Sequence, residues 1–120
     1  MKLNKTIVLL SLITVVIGIT VLSLLPPESG VELGEHDKIN HFIAYSVLSL
    51  NFGVWINRVK LHLYFLPALI AYGLLMEFFQ GFVPGREQSW LDALANTGGV
   101  SLGFFLAFIN AKLGWVRVKD

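Results

Sequence analysis

The chain has 120 residues, of which 55% are hydrophobic and only 14% charged, with a mean hydropathy of +0.70. Such a composition is that of a membrane protein, and the length suits a single domain. A net charge of +1 with no basic tract gives nucleic acid no electrostatic footprint, and the lack of cysteine removes disulfides, thiol catalysis and cysteine-ligated metal centres.

A bilayer core of about 30 Å needs roughly 20 apolar residues as helix. Residues 6–25 form the first such run, uncharged and closed by Pro26-Pro27. Its length exceeds the about 7–15 residues of a signal-peptide core, and no A-x-A-like site follows, so it reads as a retained span. The second span covers about 39–56, with His41 near its start. The third covers about 61–82 and contains Pro67, which is expected to kink it, and then Glu77 and Gln80. The fourth covers about 90–110, with Asp92 and Asn96 in its opening turns. The expected fold is all-α: residues 1–120 as one polytopic four-helix transmembrane bundle.

Seven of the nine basic residues (Lys2, Lys5, Arg58, Lys60, Lys112, Arg117 and Lys119) fall on one side of these spans, leaving Lys38 and Arg86 on the other. By the positive-inside rule, both termini are then cytoplasmic, as an even number of spans requires. Most acidic residues (Glu28, Glu32, Glu35, Asp37, Glu87 and Asp92) lie in or beside the two outer loops, with Glu77 just beneath. Acidic residues contribute little to topology, so site chemistry and ordinary hydrophilic loops are both open explanations.

Three helix ends bring polar residues to that outer side at helical spacing. Asp37, His41 and Tyr45 recur at i, i+4, i+8, and Lys38 shares the face of His41. Glu77 and Gln80 stand at i, i+3 and Asp92 and Asn96 at i, i+4, while Arg86 lies in the connection between spans three and four. Each has an ordinary reading. Asp37 suits a helix N-cap, and Ser89-x-x-Asp92 matches a capping box. Asn96 suits a helix–helix hydrogen bond, and Arg86 with Glu87 a solvated loop pair. Glu77 is different: about 7–8 Å inside a boundary near Phe82, it is costly facing lipid and should turn inward toward Lys38, His41 or Arg86. A buried ion pair and a pocket open to the outer surface are its two readings.

Along helix four, Ala95, Gly99, Gly103, Ala107 and Ala111 recur every fourth residue. Such stripes let helix backbones approach, within the bundle or across a homodimer through Ala95, Gly99, Gly103 and Ala107. Trp90, Phe82 and Tyr45 suit the outer interface, and Trp55, Tyr64 and Trp115 the inner one.

The segments DKINHFIAYSVLSL and YGLLMEFFQGFVPGREQSWLDALANTGGVSLG resemble the VanZ-like family of small bacterial membrane proteins. The resemblance covers residues 37–103 apart from the middle connection, and rests on D-K-x-x-H, E-x-x-Q, P-G-R and D-x-x-x-N-x-x-G. It implies a multi-pass protein of the bacterial cytoplasmic membrane, a cell-envelope setting and a link to teicoplanin resistance. It marks Asp37, Lys38, His41, Glu77, Gln80, Arg86, Asp92 and Asn96 as the site positions, and names no reaction.

Three functions remain open at this stage. The first is a binding module, in which Lys38, Arg86 and His41 hold the phosphate or carboxylate of an envelope lipid or lipid-linked cell-wall precursor. The second is a membrane-embedded enzyme acting on a lipid headgroup, with His41, Glu77 and Asp92 as acid–base candidates or as partners of a divalent ion. The spacing is no recognised metal signature, so no metal ligands and no cofactor are assigned. The third is a structural protein in which the polar set locks the bundle and the small-residue stripe recruits a partner. Nothing ionisable continues from the outer end to the inner, which disfavours a conducting path.

Overall fold

The computed structural model describes residues 1–26, 37–86 and 88–119. The sequence-based interest in Glu28, Glu32, Glu35 and Glu87 therefore lies outside the described residues. Four helices dominate: α1 (Lys5–Leu24), α2 (Asp37–Ile56), α3 (Val59–Gln80) and α4 (Trp90–Leu113). Each is long and apolar enough to cross a membrane. Among the described residues, the remainder is turns and one small addition. Two three-residue strands, β1 (Lys2–Asn4) and β2 (Arg117–Lys119), pair in parallel, with Leu3 opposite Val118. The amino terminus also donates to the Trp115 carbonyl at 2.8 Å. Both termini therefore sit together at one end of the bundle, and the end of α1, the start of α2 and the turn after α3 lie at the other.

The helix ends differ from the hydropathy boundaries for local reasons. Helix α1 stops at Leu24 because Pro26 drives Leu25 into extended backbone (φ −74°, ψ 131°). Helix α2 begins two residues early because its first turn is polar but helical all the same. Helix α3 starts at Val59 and ends at Gln80, where Gly81, Phe82 and Val83 tighten into i to i+3 hydrogen bonds. It runs through Pro67 as one helix. Helix α4 continues past the apolar run to Leu113 and ends on Gly114, whose left-handed φ of 69° suits a C-cap glycine.

Helices α2 and α4 form the most extensive pair, and glycine makes that possible. A Cβ on Gly99 would stand 2.5 Å from the Phe42 carbonyl oxygen, and one on Gly103 would collide with the Ser46 carbonyl. The stripe on α4 thus faces α2 within the same chain, with Gly99, Gly103 and Ala107 buried. Helix α1 packs on α2 and α3 and is tied to them by polar links. Thr20 Oγ1 and Tyr72 Oη lie 2.7 Å apart, and Asn51 donates to Ser11 Oγ at 2.9 Å.

The buried core is thin: Leu12, Ile19, Tyr45, Leu48 and Val100. Large apolar side chains are instead exposed along the outside, including Ile7, Leu10, Ile13 and Ile17 of α1, Leu74 and Phe78 of α3, and Leu94 and Phe105 of α4. The long axis measures 44 Å, which compares with about 40–45 Å for a bilayer with its headgroup regions. Phe82 and Trp90 are exposed at one end, and Tyr64 and Trp115 toward the other. Tyr45 departs from its expected interfacial place: it is only 2% exposed and belongs to the core, because α2 turns that face toward α3 and α4.

Candidate functional site

At the end opposite the termini, three helices each contribute one polar residue to a common centre. His41 lies one turn into α2, Glu77 one turn from the end of α3, and Asp92 in the first turn of α4. One ligand-type atom from each lies within 4.8 Å of the others. Glu77 and Asp92 are buried, and the His41 side chain is nearly so. His41 Nδ1 stands 4.0 Å from Asp92 Oδ2, and Lys38 Nζ 3.9 Å from Asp92 Oδ1. Both distances are too long for hydrogen bonds. Lys38 is half exposed and forms the rim.

The start of α4 explains how Asp92 becomes free to face this centre. Ser89 is the N-cap and accepts the Asp92 backbone N–H at 3.4 Å. In a capping box the Asp92 carboxylate would reach back to the Ser89 N–H. Glu77 Oε1 takes that N–H instead, at 2.7 Å. Half of the box is therefore made by a neighbouring helix, and the Asp92 carboxylate turns toward α2.

A second layer lies one helical turn deeper on all three helices: Tyr45 below His41, Gly73 below Glu77, and Asn96 below Asp92. Gly73 is needed there, since a Cβ would meet the Tyr45 ring at 3.0 Å and Asn96 Cβ at 3.1 Å. Asn96 Nδ2 donates to the Gly73 carbonyl at 3.1 Å. The Tyr45 hydroxyl is within electrostatic reach of Glu77. Among the described residues, neither Tyr45 Oη nor Asn96 Oδ1 makes a hydrogen bond.

Gln80 and Arg86 contact a different part of the molecule. Arg86 donates through Nε to the Leu25 carbonyl at 2.7 Å and through Nη2 to the Leu22 carbonyl at 2.8 Å. Gln80 donates to the Ser23 carbonyl at 3.1 Å. Three carbonyls at the end of α1 are thus satisfied from the α3 side, as the last carbonyls of a helix require. The turn residues Val83-Pro84-Gly85-Arg86 place the guanidinium there. Arg86 N bonds the Val83 carbonyl, and Gly85 takes φ 83°, as a type II turn with proline before glycine requires. Asp37 opens α2, and its side chain lies outside the described residues.

Of the eight positions marked in the sequence, seven have described side chains. Lys38, His41, Glu77, Asp92 and Asn96 converge, and Gln80 and Arg86 bond α1 carbonyls. Tyr45 joins the convergent set, and the i+8 spacing from Asp37 was the available signal for it. A second buried polar pair, Ser49 Oγ and His62 Nε2 at 3.1 Å, lies toward the opposite end and gave no sequence signal.

Comparison with protein-family models, curated proteins and solved structures finds no match for this chain.

Proposed function

We propose that this chain is a four-span integral protein of the bacterial cytoplasmic membrane, of the VanZ-like kind, with both termini in the cytoplasm. Its outer end binds the headgroup of an envelope lipid or lipid-linked cell-wall precursor, the setting in which a contribution to teicoplanin resistance would act. The observation that carries this reading is the buried His41–Glu77–Asp92 centre at the helix ends opposite the termini, with half-exposed Lys38 at its rim. Buried ionisable groups converging from three apolar helices are costly and mark functional sites more often than chance. The pairing of one cation with two carboxylates suits a headgroup of mixed charge better than a simple anion.

The placement of His41 beside Asp92 also supports a second reading, a membrane-embedded acid–base or metal-assisted enzyme acting on the same headgroups. Native mass spectrometry of the protein released gently from its own membranes tests the binding reading. A specific lipid adduct that is lost in Lys38→Ala and His41→Ala, with folding retained, is the expected result. Wild-type protein without an adduct, alongside variants that merely unfold more easily, would leave a structural bundle. Turnover of a lipid-precursor mixture by purified protein, abolished by Glu77→Gln, would favour the enzyme.

A further inference from the structure

The centre carries two carboxylates and one imidazole, so an anionic headgroup meets more negative than positive charge there. A bound cation would reverse this balance. Arg86 directs two of its donors to α1 carbonyls, and Lys38 stands half in solvent beside Asp92.

The donor set suggests which cation. One imidazole nitrogen and two carboxylate oxygens, each from a different helix, lie within 4.8 Å of one another. Nitrogen with carboxylate oxygen is a set that zinc and manganese accept, and zinc sites of the open kind use three protein ligands and leave a further position free. Ligand atoms about 2.0–2.2 Å from one ion stand roughly 3–4 Å from each other, so rotamer adjustments of about 1 Å or less close the set. Glu77 is also held from outside by the Ser89 N–H, the kind of outer hydrogen bond that orients ligating carboxylates.

A second, independent observation points into the same place. Tyr45 and Asn96, each 2% exposed, carry oxygens with no hydrogen bond among the described residues. They form the layer directly beneath the three ligands. The orientation of Asn96 is fixed, because only its NH₂ can donate to the Gly73 carbonyl, and Oδ1 then faces away from that carbonyl.

We infer that His41, Glu77 and Asp92 hold a divalent cation of the zinc or manganese class, with Tyr45 and Asn96 lining the layer below it. The ion offsets both carboxylates and offers its open position to a phosphate at the rim. This last consequence rests on the headgroup reading, whereas the cation site itself does not.

The test uses the full-length chain purified in detergent, stripped with a chelator, and titrated separately with ZnCl₂ and MnCl₂. Bound metal is counted after removal of free ion, and a Co²⁺-loaded sample is read by its visible spectrum. The expected result is one ion per chain and a cobalt spectrum showing imidazole and oxygen ligation. His41→Ala and Asp92→Asn weaken binding by at least about tenfold, judged against the losses that even outer-shell changes produce. Ser49→Ala, at the other end, binds as the wild type does. Substoichiometric metal in the wild type, a cobalt spectrum without imidazole ligation, or full binding by the His41→Ala/Asp92→Asn double variant overturns the inference. The wild-type spectrum decides the matter even where a variant fails to fold. Lipid adducts retained by chelated protein that binds no metal would refute the cation site and leave headgroup binding standing. Metal binding without any lipid adduct would support the site and refute the headgroup.

Discussion

Glu77 Oε1 accepts the backbone N–H of Ser89 at 2.7 Å, across the turn that joins α3 to α4. One carboxylate oxygen thereby fixes where α4 begins, while the group as a whole stands within ligand distance of His41 and Asp92. Structural and chemical roles meet in one side chain, and two substitutions separate them. Glu77→Gln keeps a carbonyl oxygen for the Ser89 N–H but loses the charge. It should melt within a few degrees of the wild type in detergent while losing metal and headgroup binding. Glu77→Ala loses both and should be less stable by about 1–3 kcal/mol, the cost of a buried donor left unsatisfied. Thermal unfolding beside a binding assay checks the pair.

Tyr45→Phe removes only an oxygen that has no hydrogen bond among the described residues. A purely structural hydroxyl would be missed on removal. The expected outcome is stability unchanged to within about 0.5 kcal/mol or slightly raised, since no bond is broken and no cavity of note is made. Affinity for the cation should fall. A marked loss of stability with affinity intact would reverse the assignment of this residue.

Arg86→Ala leaves the Leu22 and Leu25 carbonyls without their donor. Hydrogen bonds to charged groups contribute about 1.5–3 kcal/mol, and unfolding in detergent should show a loss of that order. Arg86→Lys should recover only part of it, because a single ammonium does not match the fork that reaches two carbonyls.

Gly103→Ala places a methyl group against the Ser46 carbonyl on α2. Overpacking of this kind costs about 1–3 kcal/mol. Gly18 on α1 is the control, because a Cβ there meets nothing within 4 Å. Gly18→Ala should leave stability unchanged or raise it by up to about 1 kcal/mol, through the better helix propensity of alanine. Melting curves of the two variants, measured together, check the contrast.

Much of the fold was legible because apolar runs and their lengths dictate four helices, and small residues at every fourth position dictate close packing. Period-four spacing also exposed the inward faces of α2 and α4, from His41 to Tyr45 and from Asp92 to Asn96. Tertiary partnership was not legible. Arg86 and Glu77 are both charged residues near the same end, and nothing in their spacing says that one serves α1 carbonyls and the other the Ser89 N–H. Residue type and a shared helix end grouped His41, Glu77 and Asp92 as candidates, but they come from three helices, so no linear pattern could place their ligand atoms within 4.8 Å of one another. The small parallel pair at the termini was invisible for a similar reason: Lys-Leu-Asn and Arg-Val-Lys are too short to show an alternating signal.

That pair has a consequence for the order of assembly. Met1 and Trp115 are 114 positions apart and are joined by a hydrogen bond, beside a ladder between the first few residues and the last few. During synthesis β1 emerges before β2 and must wait, unpaired, until the four helices between them have been made. Loop-closure entropy makes such a contact slow to form in an open chain and cheap once the helices have brought the ends together. The clasp is therefore a late contact, formed only when α1 and α4 already stand with these ends side by side, and it holds the finished order of helices in place rather than directing it.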